Sequence, residues 1–359
     1  MKQRDSLLEK ILNTNSKSLK VEVSEVPPFI SNYVKDLYVM YNLSRHTIID
    51  YFSLITIFTK KMFLTFYNKP YYNITTEKYD PHYLSIDEKF YEQVEKRHVN
   101  DFLAELKLER NLKESSVITK IRQLKSFYSY LEEHYDIKNN VKNIRIPKAE
   151  KNLPVYLTLE EAVSLVNVVD KDIEQHKSSK LEWVCTRNKC MIVMLLNCAL
   201  RRSELRSINI EDIKEDYIIV MGKGAKERTI YLNDLTKQSI NDYLRVRPKD
   251  AKDNEALFIT KNKHTYSRIS CERIGDVVKK YLRKANLNDQ LFSTHKLRHT
   301  SATLMYQHGN VDLRSLQQIL GHASSKTTEI YTHVYDKNLK KAVNTNPLNV
   351  LYEENKKGL

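Results

Sequence analysis

The apolar positions in the N-terminal third of the chain recur at helical spacing. Behind two prolines at positions 27 and 28, apolar or aromatic side chains recur every three or four residues as far as Tyr41. This spacing predicts an amphipathic helix whose first turn the prolines open. Ser44 can cap a second helix, residues 99–108 have helical spacing, and a serine at 115 or 116 can start a further helix. The pattern predicts a four-helix domain over residues 1–141.

Two features of this domain depart from the simple pattern. Residues 67–91 are rich in tyrosine and less periodic, which predicts an irregular insertion with one short helix. The last predicted helix carries Lys120, Arg122 and Lys125 on the face opposite its apolar positions. A basic face of this kind is most often only a solvated surface, so it does not assign a function by itself.

The helical period breaks between residues 142 and 154. This segment contains two prolines and four basic residues and has no repeating apolar pattern. Because proline removes a backbone donor and interrupts helices, the composition predicts an extended linker between two domains. Its positive charge would suit a segment that lies along a phosphate backbone.

A second domain of mixed composition is predicted over residues 155–335. Thr158 and Glu161 have the spacing of a capping box, which starts a helix. The pattern beyond predicts a buried helix at 187–200, β-strands at 216–221 and 228–232 that form a hairpin, and helices at 271–285, 295–308 and 312–320. Gly309 and Gly321 are natural helix ends. The fold class is therefore mainly α with a small antiparallel sheet in the C-terminal domain.

The charge balance narrows the possible partners. The 359 residues suit two domains, and 59 Lys and Arg against 45 Asp and Glu leave a formal charge of +14. Such an excess favours a polyanion, either nucleic acid or an anionic membrane surface. The most apolar run, residues 190–200, is half the length needed to span a bilayer, and no signal peptide is visible. We therefore expect a cytoplasmic protein without a membrane partner.

The cysteines and carboxylates do not indicate metal chemistry. The four cysteines form no C-x-x-C pair and have no histidines at zinc-finger spacing. Three of them lie around the predicted buried helix, where cysteine behaves as a small apolar residue. No group of Asp and Glu is spaced to hold Mg²⁺ near the basic residues. We expect neither a metal nor another cofactor.

Six residues of the second domain are together suited to attack on a phosphodiester. Arginines can clamp nonbridging phosphate oxygens, and histidines can exchange protons near neutral pH. A lysine at a hairpin tip can protonate a leaving oxygen, and a deprotonated tyrosine is an oxygen nucleophile. A single histidine or arginine is most often structural, so only the set is informative. The residues are Arg201, Lys223, His295, Arg298, His322 and Tyr331.

This ordered set resembles that of the tyrosine recombinases and integrases, in particular their compact Xer-type branch. Residues 200–205 (LRRSEL) resemble the family's first arginine box, and 222–228 (GKGAKER) its β-hairpin lysine segment. Its second box is matched by 295–299 (HKLRH) with 320–322 (LGH), and its nucleophile segment by 331–333 (YTH). The N-terminal helices look like the family's core-binding domain. The second domain would then be a tyrosine-recombinase catalytic domain.

The chain departs from the family pattern at a few positions. Ala199 stands where glycine usually precedes Leu-Arg, and Thr294 stands where proline often precedes the histidine. Both positions bear on backbone geometry and not on proton chemistry. The insertion at 67–91 is unusual, and no separate arm-binding domain is seen ahead of Pro27, unlike in the larger phage integrases.

The resemblance implies a role for each residue of the set. Arg201 and Arg298 would grip the scissile phosphate, and His322 would add a hydrogen bond to it. His295 would act in proton transfer with the nucleophile, and Lys223 would be the general acid. Every catalytic position is filled, so an active enzyme is expected.

The nucleophile and the assembly follow from the same resemblance. Tyr331 would form a 3′-phosphotyrosine, an ester that conserves the energy of the broken bond, so that neither ATP nor a metal is required. Glu204 would hold the arginines in their arrangement. Leu348, Leu351 and Tyr352 form a short apolar face in a tail, residues 336–359. This tail would either dock on its own domain or, as the resemblance to the family implies, pass to a neighbouring protomer.

The implied enzyme is a site-specific DNA recombinase that acts in chromosome-dimer resolution or in integration and excision of a mobile element. Its partner would be double-stranded DNA with inverted-repeat half-sites, on which it would self-associate as a tetramer. A partner recombinase or accessory factor is left open.

Two other functions stay under consideration. A type IB topoisomerase has a similar arginine–lysine–histidine–tyrosine site but works as a monomer, and the Xer-like boxes and helical N-terminal domain argue against it. Relaxation of plasmids that lack a target site would identify it. A helical DNA-binding regulator without catalysis is the third hypothesis, and any covalent protein–DNA product would exclude it.

Overall fold

The chain, described from a computed structural model, divides into an N-terminal unit (Met1–Lys151) and a C-terminal unit (Asn152–Leu359). Within the described residues, no helix is long and apolar enough to cross a membrane. The structure describes residues 26–41, 43–109, 111–147, 155–222, 227–249, 255–263, 265–309 and 311–321.

Helices dominate the N-terminal unit, as the apolar spacing predicts. They are α1 (Pro28–Val39), α2 (Arg45–Tyr67), the short α3 (Pro81–Leu84), α4 (Lys96–Glu109) and α5 (Glu114–Tyr135). Pro28 lies in the first turn of α1, where a missing backbone donor costs nothing. The Ser44 hydroxyl caps α2 by accepting a hydrogen bond from the Thr47 backbone N–H (3.3 Å). Both local signals in the sequence are therefore confirmed.

The tyrosine-rich segment between α2 and α4 is more ordered than the sequence analysis expects. It forms a small antiparallel hairpin, β1 (Tyr72–Asn73) with β2 (Lys78–Tyr79), followed by α3 and a 3₁₀ helix (Glu88–Gln93). Tyr83 and Tyr91 are fully buried. The Tyr91 hydroxyl lies 2.7 Å from the hydroxyl of Thr59 on α2. The segment is thus part of the core rather than a peripheral addition.

Aromatic rings fill the core of the N-terminal unit. Phe127 on α5 lies in edge-to-face contact with Phe29, Tyr33, Tyr91 and Tyr128, at centroid separations of 4.9 to 6.2 Å. These separations are those at which ring quadrupoles attract. Packing of rings therefore joins α1, the 3₁₀ helix and α5, and the Tyr130 hydroxyl on α5 also donates a hydrogen bond to Asp36 on α1.

The beginning of the predicted linker contacts the N-terminal unit. Ile144 is buried in that unit's core, and its carbonyl accepts a hydrogen bond from Lys125 Nζ (2.9 Å). Residues 148–154 of the predicted linker lie outside the described residues.

The C-terminal unit combines helices with two hairpins. In chain order its elements are α6 (Leu159–Gln175), α7 (Glu182–Asn197), α8 (Arg202–Ser207), β3 (Tyr217–Met221), β4 (Glu227–Tyr231), α9 (Asp234–Val246), β5 (Ile259–Asn262), β6 (Thr265–Arg268), α10 (Cys271–Lys284), α11 (Thr294–His308) and α12 (Leu313–Leu320). The capping box of Thr158 and Glu161 begins α6, as predicted. Gly309 and Gly321 end α11 and α12, also as predicted.

Helix α7 forms the centre of this unit. It packs against α6, α9 and α11, and most of its side chains are buried. Cys190 and Cys198 lie in this core, and Cys185 is buried as well. The helix begins at Glu182, earlier than the predicted 187. It ends at Asn197, earlier than the predicted 200, because the chain turns into the left-handed region at Ala199 (φ +48°).

The predicted hairpin is confirmed, and a second one accompanies it. β3 pairs with β4 in antiparallel register from Tyr217–Tyr231 to Met221–Glu227. β5 pairs with β6 beside Trp183, whose ring contacts Tyr266. β5 and β6 are not predicted from the sequence, since these four-residue strands lack an apolar alternation.

Candidate active site

The sharp turn after α7 places Arg201 at the start of α8. Its backbone N–H donates to Glu204 Oε2 (2.7 Å), and its Nη1 donates to Glu204 Oε1 (2.6 Å). Its Nη2 also approaches the carbonyl oxygen of Gly321 (3.4 Å). The Arg201 side chain is still 32% exposed, whereas the side chain of Glu204 is 2% exposed.

Arg298 approaches the same point from α11. Its side chain is 3% exposed. Nη1 donates to the carbonyl oxygen of Ala199 (2.6 Å), and Nη2 donates to the carbonyl oxygen of Leu320. Arg298 therefore joins the turn before Arg201 to the C-terminal end of α12.

Glu204 is the buried centre of the arginine cluster. Its side chain is 2% exposed, and it pairs with Arg201, with Arg228 Nη2 (2.8 Å) and with Arg298 Nη1 (3.5 Å). Burial alone would raise the pKa of this carboxyl, but the charge of Arg228 and the hydrogen bonds from Arg201 and Arg228 hold it below its ordinary value. Glu204 is thus a carboxylate that fixes the arginines.

Two histidines lie one helical turn apart on α11. His295 Nε2 and His299 Nε2 are 3.1 Å apart, and the rings are nearly perpendicular. Packing around the ring, and then the charges of Arg298, Lys296 and Arg201, lower the pKa of His295 below its ordinary 6.5. At neutral pH His295 is therefore uncharged and has a lone pair with which to accept a proton.

Gly321, at the end of α12, also lies against the arginine cluster. Gly321 adopts a left-handed conformation (φ +58°), and a Cβ there would meet Arg228 Cδ at 2.8 Å. Only glycine meets both demands without strain. This turn leads directly to position 322.

Three of the six predicted residues are thus brought to one place. Arg201 and Arg298 share Glu204, and His295 lies on the Arg298 helix within the influence of both charges. The predictions for Lys223, His322 and Tyr331 fall outside the described residues.

Arg228 also belongs to this cluster, and no sequence motif assigns it a role. Its only signal in the sequence is its position as the last residue of the segment 222–228.

A second buried carboxylate lies elsewhere in the C-terminal unit. Asp172, His176 and Cys185 bring potential metal-ligand atoms within 4.8 Å of one another. However, Asp172 already pairs with Lys284 and Lys280, and it accepts a hydrogen bond from the Tyr281 hydroxyl (2.6 Å). A metal ion would have to displace two ammonium groups, so we interpret this cluster as an ion-pair network between α6 and α10.

Comparison with known proteins places this geometry in a family. Residues 155–338 match the phage integrase family. The chain is 45% identical over 261 residues to the tyrosine recombinase XerC of Caldanaerobacter subterraneus, covering 71% of this chain and 70% of that protein. It is 32% identical over 321 residues to the XerC of Rickettsia bellii, covering 89% and 96%.

Solved structures agree on the fold. The XerH site-specific recombinase bound to palindromic difH substrate, in a post-cleavage complex, superposes with a TM-score of 0.61 at 21% identity, covering 88% of this chain and 83% of that one. A lambda integrase dimer bound to a COC′ core site superposes with a TM-score of 0.58 at 17% identity, covering 85% and 94%. The predicted fold class is confirmed, and the chain belongs to the phage integrase family as a site-specific tyrosine recombinase.

Proposed function

We propose that Arg201, Lys223, His295, Arg298, His322 and Tyr331 are the catalytic residues of this recombinase. The observation that carries the proposal is the meeting of Arg201 and Arg298 at one buried carboxylate. Arginines held in this way are preorganised, so they lose little entropy when a phosphate binds.

The two arginines would divide the work of binding the scissile phosphate. The Arg201 side chain is 32% exposed, and its guanidinium would bind the nonbridging oxygens. Arg298 is buried and bonded to two backbone carbonyls, so its direction is set by the fold. Together they would stabilise the charge that develops on the phosphate in the transition state. His322 would add a hydrogen bond.

Proton transfer would involve His295, Tyr331 and Lys223. His295, uncharged at neutral pH, would accept the phenol proton of Tyr331 as its oxygen attacks phosphorus. Lys223 would donate a proton to the leaving 5′ oxygen, and the ester left on Tyr331 would be the 3′-phosphotyrosine. Ligation is the reverse: the 5′ hydroxyl attacks, and the tyrosine recovers its proton. These steps use neither a metal ion nor ATP.

Double-stranded DNA is the proposed partner. The charge of +14 supports a polyanionic partner, and the solved structures of similar fold are recombinases bound to DNA. We propose that the N-terminal unit binds the core site, that residues 142–154 link the two domains, and that residues 336–359 pass to a neighbouring protomer. Four protomers would then assemble on two inverted-repeat sites, in the cytoplasm. The same chemistry serves chromosome-dimer resolution and mobile-element integration.

The decisive experiment follows the covalent intermediate. Tyr331→Phe should bind target DNA as tightly as the unaltered chain and form no covalent complex on a nicked suicide substrate, since the nucleophilic oxygen is gone. Tyr335→Phe, four residues away, is the matched control and should become linked normally. Covalent linkage by the Tyr331→Phe variant would refute the assignment.

Two further measurements separate the alternatives. Cleavage by the unaltered chain should persist in excess EDTA, because no step uses a divalent ion. Plasmids without a target site should stay supercoiled, whereas a type IB topoisomerase would relax them.

A further inference from the structure

Arg228 makes contacts that no role assigned so far requires. It is the second residue of β4, and its side chain is 11% exposed. Nη2 donates to Glu204 Oε2 (2.8 Å), and Nη1 donates to the carbonyl oxygen of Ile319 on α12. Its aliphatic stem lies against Gly321.

These contacts join three segments of the site. Glu204 on α8 holds Arg201, Gly321 is the residue before the proposed His322, and β4 follows the loop of the proposed Lys223. The segments are distant in the chain: 24 residues separate Arg228 from Glu204, and 91 separate it from Ile319. The Arg228 side chain therefore connects β4 to Glu204 on α8 and to the C-terminal end of α12.

The bonding of Arg228 is also incomplete. Its Nε is buried and has no hydrogen-bond partner among the described residues. Among the described residues, the hydrogen bonds of Nη1 and Nη2 fix the direction of the guanidinium.

We propose that Arg228 is a positioning residue for DNA cleavage, which sets Glu204 and thereby Arg201 on one side and the turn at Gly321 on the other. This inference rests on the proposed function of Arg201 and His322. A lysine cannot replace it, because an ammonium on a flexible stem has no planar fork with which to bond a carboxylate and a carbonyl in fixed directions at once.

Arg247 offers a matched control in the same unit. It is also a buried arginine, and it donates hydrogen bonds to the backbone carbonyl oxygens of Leu257 and Ala256. Arg247→Lys should therefore report the loss of stability from removing a buried guanidinium, without a change at the site.

The test separates DNA binding from the chemical step. Arg228→Lys, Arg228→Gln and Arg247→Lys are compared by gel-shift affinity for one half-site and by the single-turnover cleavage rate at saturating nicked substrate, per molecule of DNA-bound protein. We expect both Arg228 variants to cleave about 10- to 100-fold more slowly, a range typical for the loss of residues that orient direct ligands. Half-site affinity should change less than about threefold, and Arg247→Lys should cleave at the unaltered rate.

Two outcomes would overturn the inference. One is a cleavage rate of both Arg228 variants equal to that of Arg247→Lys. The other is a fall in half-site affinity that accounts for the whole loss of activity. Tyr331→Phe and Arg201→Gln are assayed in parallel: if they cleave normally, the proposed function itself fails, whereas normal cleavage by the Arg228 variants alone removes only this inference.

Discussion

The two units solve the problem of burying polar side chains in different ways. Among the described residues of the N-terminal unit, the buried polar side chains are all uncharged: Ser31, Thr56, Thr59 and Gln123. The described C-terminal unit buries five charged side chains: Asp172, Arg187, Glu204, Arg247 and Arg298. Burying a charge costs desolvation free energy unless the charge is paired. The described C-terminal unit therefore carries a desolvation cost that the described N-terminal unit does not.

The N-terminal core is stabilised mainly by packing, whereas the buried charges of the C-terminal unit fix the directions of side chains. Rings packed around Phe127 stabilise the N-terminal unit by burying apolar surface, which has little directional demand. Arg298 and Glu204 are instead bonded to chosen atoms of distant segments. These bonds fix the direction in which each charged group points.

The same contrast exists within the C-terminal unit. Asp172 is paired with Lys280 and Lys284, two neighbours on α10 whose side chains are 48% and 40% exposed. Glu204 is paired with three arginines from three different elements. Asp172 therefore secures one helix pair, whereas Glu204 organises a site.

The largest effect is expected from Arg298→Gln. The change removes both carbonyl bonds and one proposed phosphate ligand, so the single-turnover cleavage rate should fall about 100- to 1000-fold. The exposed Arg314→Gln on α12 is the control. If Arg298→Gln cleaves bound substrate at the unaltered rate, the buried charge of Arg298 serves stability alone.

Phe127→Ala tests the other side of the comparison. Removing this ring should lower the free energy of unfolding of the N-terminal unit by about 3–5 kcal/mol, the usual cost of a large aromatic cavity. Urea unfolding would measure it, with the partly exposed Tyr38→Ala as a control of small effect. The cleavage rate of DNA-bound Phe127→Ala should equal that of the unaltered chain. A fall in this rate as large as that of Arg298→Gln would contradict the distinction between a packed N-terminal core and a C-terminal site.

Asp172→Asn should lower the stability of the C-terminal unit without slowing DNA cleavage. Loss of the charged hydrogen bonds from Lys284 and Tyr281 should cost about 2 kcal/mol at neutral pH. Burial alone would raise the Asp172 pKa, but these bonds and the nearby lysine charges hold it well below its ordinary value.

The sign of that pKa shift predicts a pH dependence. The carboxylate stabilises the fold above the unfolded pKa of about 4, and this contribution is lost as pH falls through the folded value. The difference in unfolding free energy between Asp172→Asn and the unaltered chain should therefore shrink below about pH 4. Asp170→Asn, which removes a partly exposed pair with Lys189, should cost less than about 1 kcal/mol. A difference that grows in acid would contradict the ion-pair interpretation.

The smallest effect is expected from Ala199→Gly. Ala199 has a left-handed backbone, which costs a residue with a Cβ about 1–2 kcal/mol. Glycine relieves that strain but loses about 0.5–1 kcal/mol of unfolded-chain entropy, so a net gain of about 0.5 kcal/mol is expected from thermal unfolding. Ala302→Gly in α11 should destabilise instead, and the same sign at both positions would argue against strain at Ala199.

The sequence by itself determined the elements that depend on neighbours in the chain. Ser44, the Thr158–Glu161 box and the glycines after α11 and α12 predict helix ends correctly, because capping bonds join residues two to four apart. Apolar spacing predicted most of the long helices for the same reason. The motif segments identified Arg201, His295 and Arg298 by their resemblance to a family.

Only the tertiary structure decided what depends on distant segments. Packing against α2 orders the tyrosine-rich segment, whose local pattern is irregular, and the bond from Tyr91 to Thr59 spans 32 residues. The meeting of Arg298 and Arg228 at Glu204 likewise joins α11, β4 and α8, and no spacing in the sequence records it. Such contacts form only when the whole core places the segments side by side, so the role proposed for Arg228 depends on the fold and not on the sequence pattern.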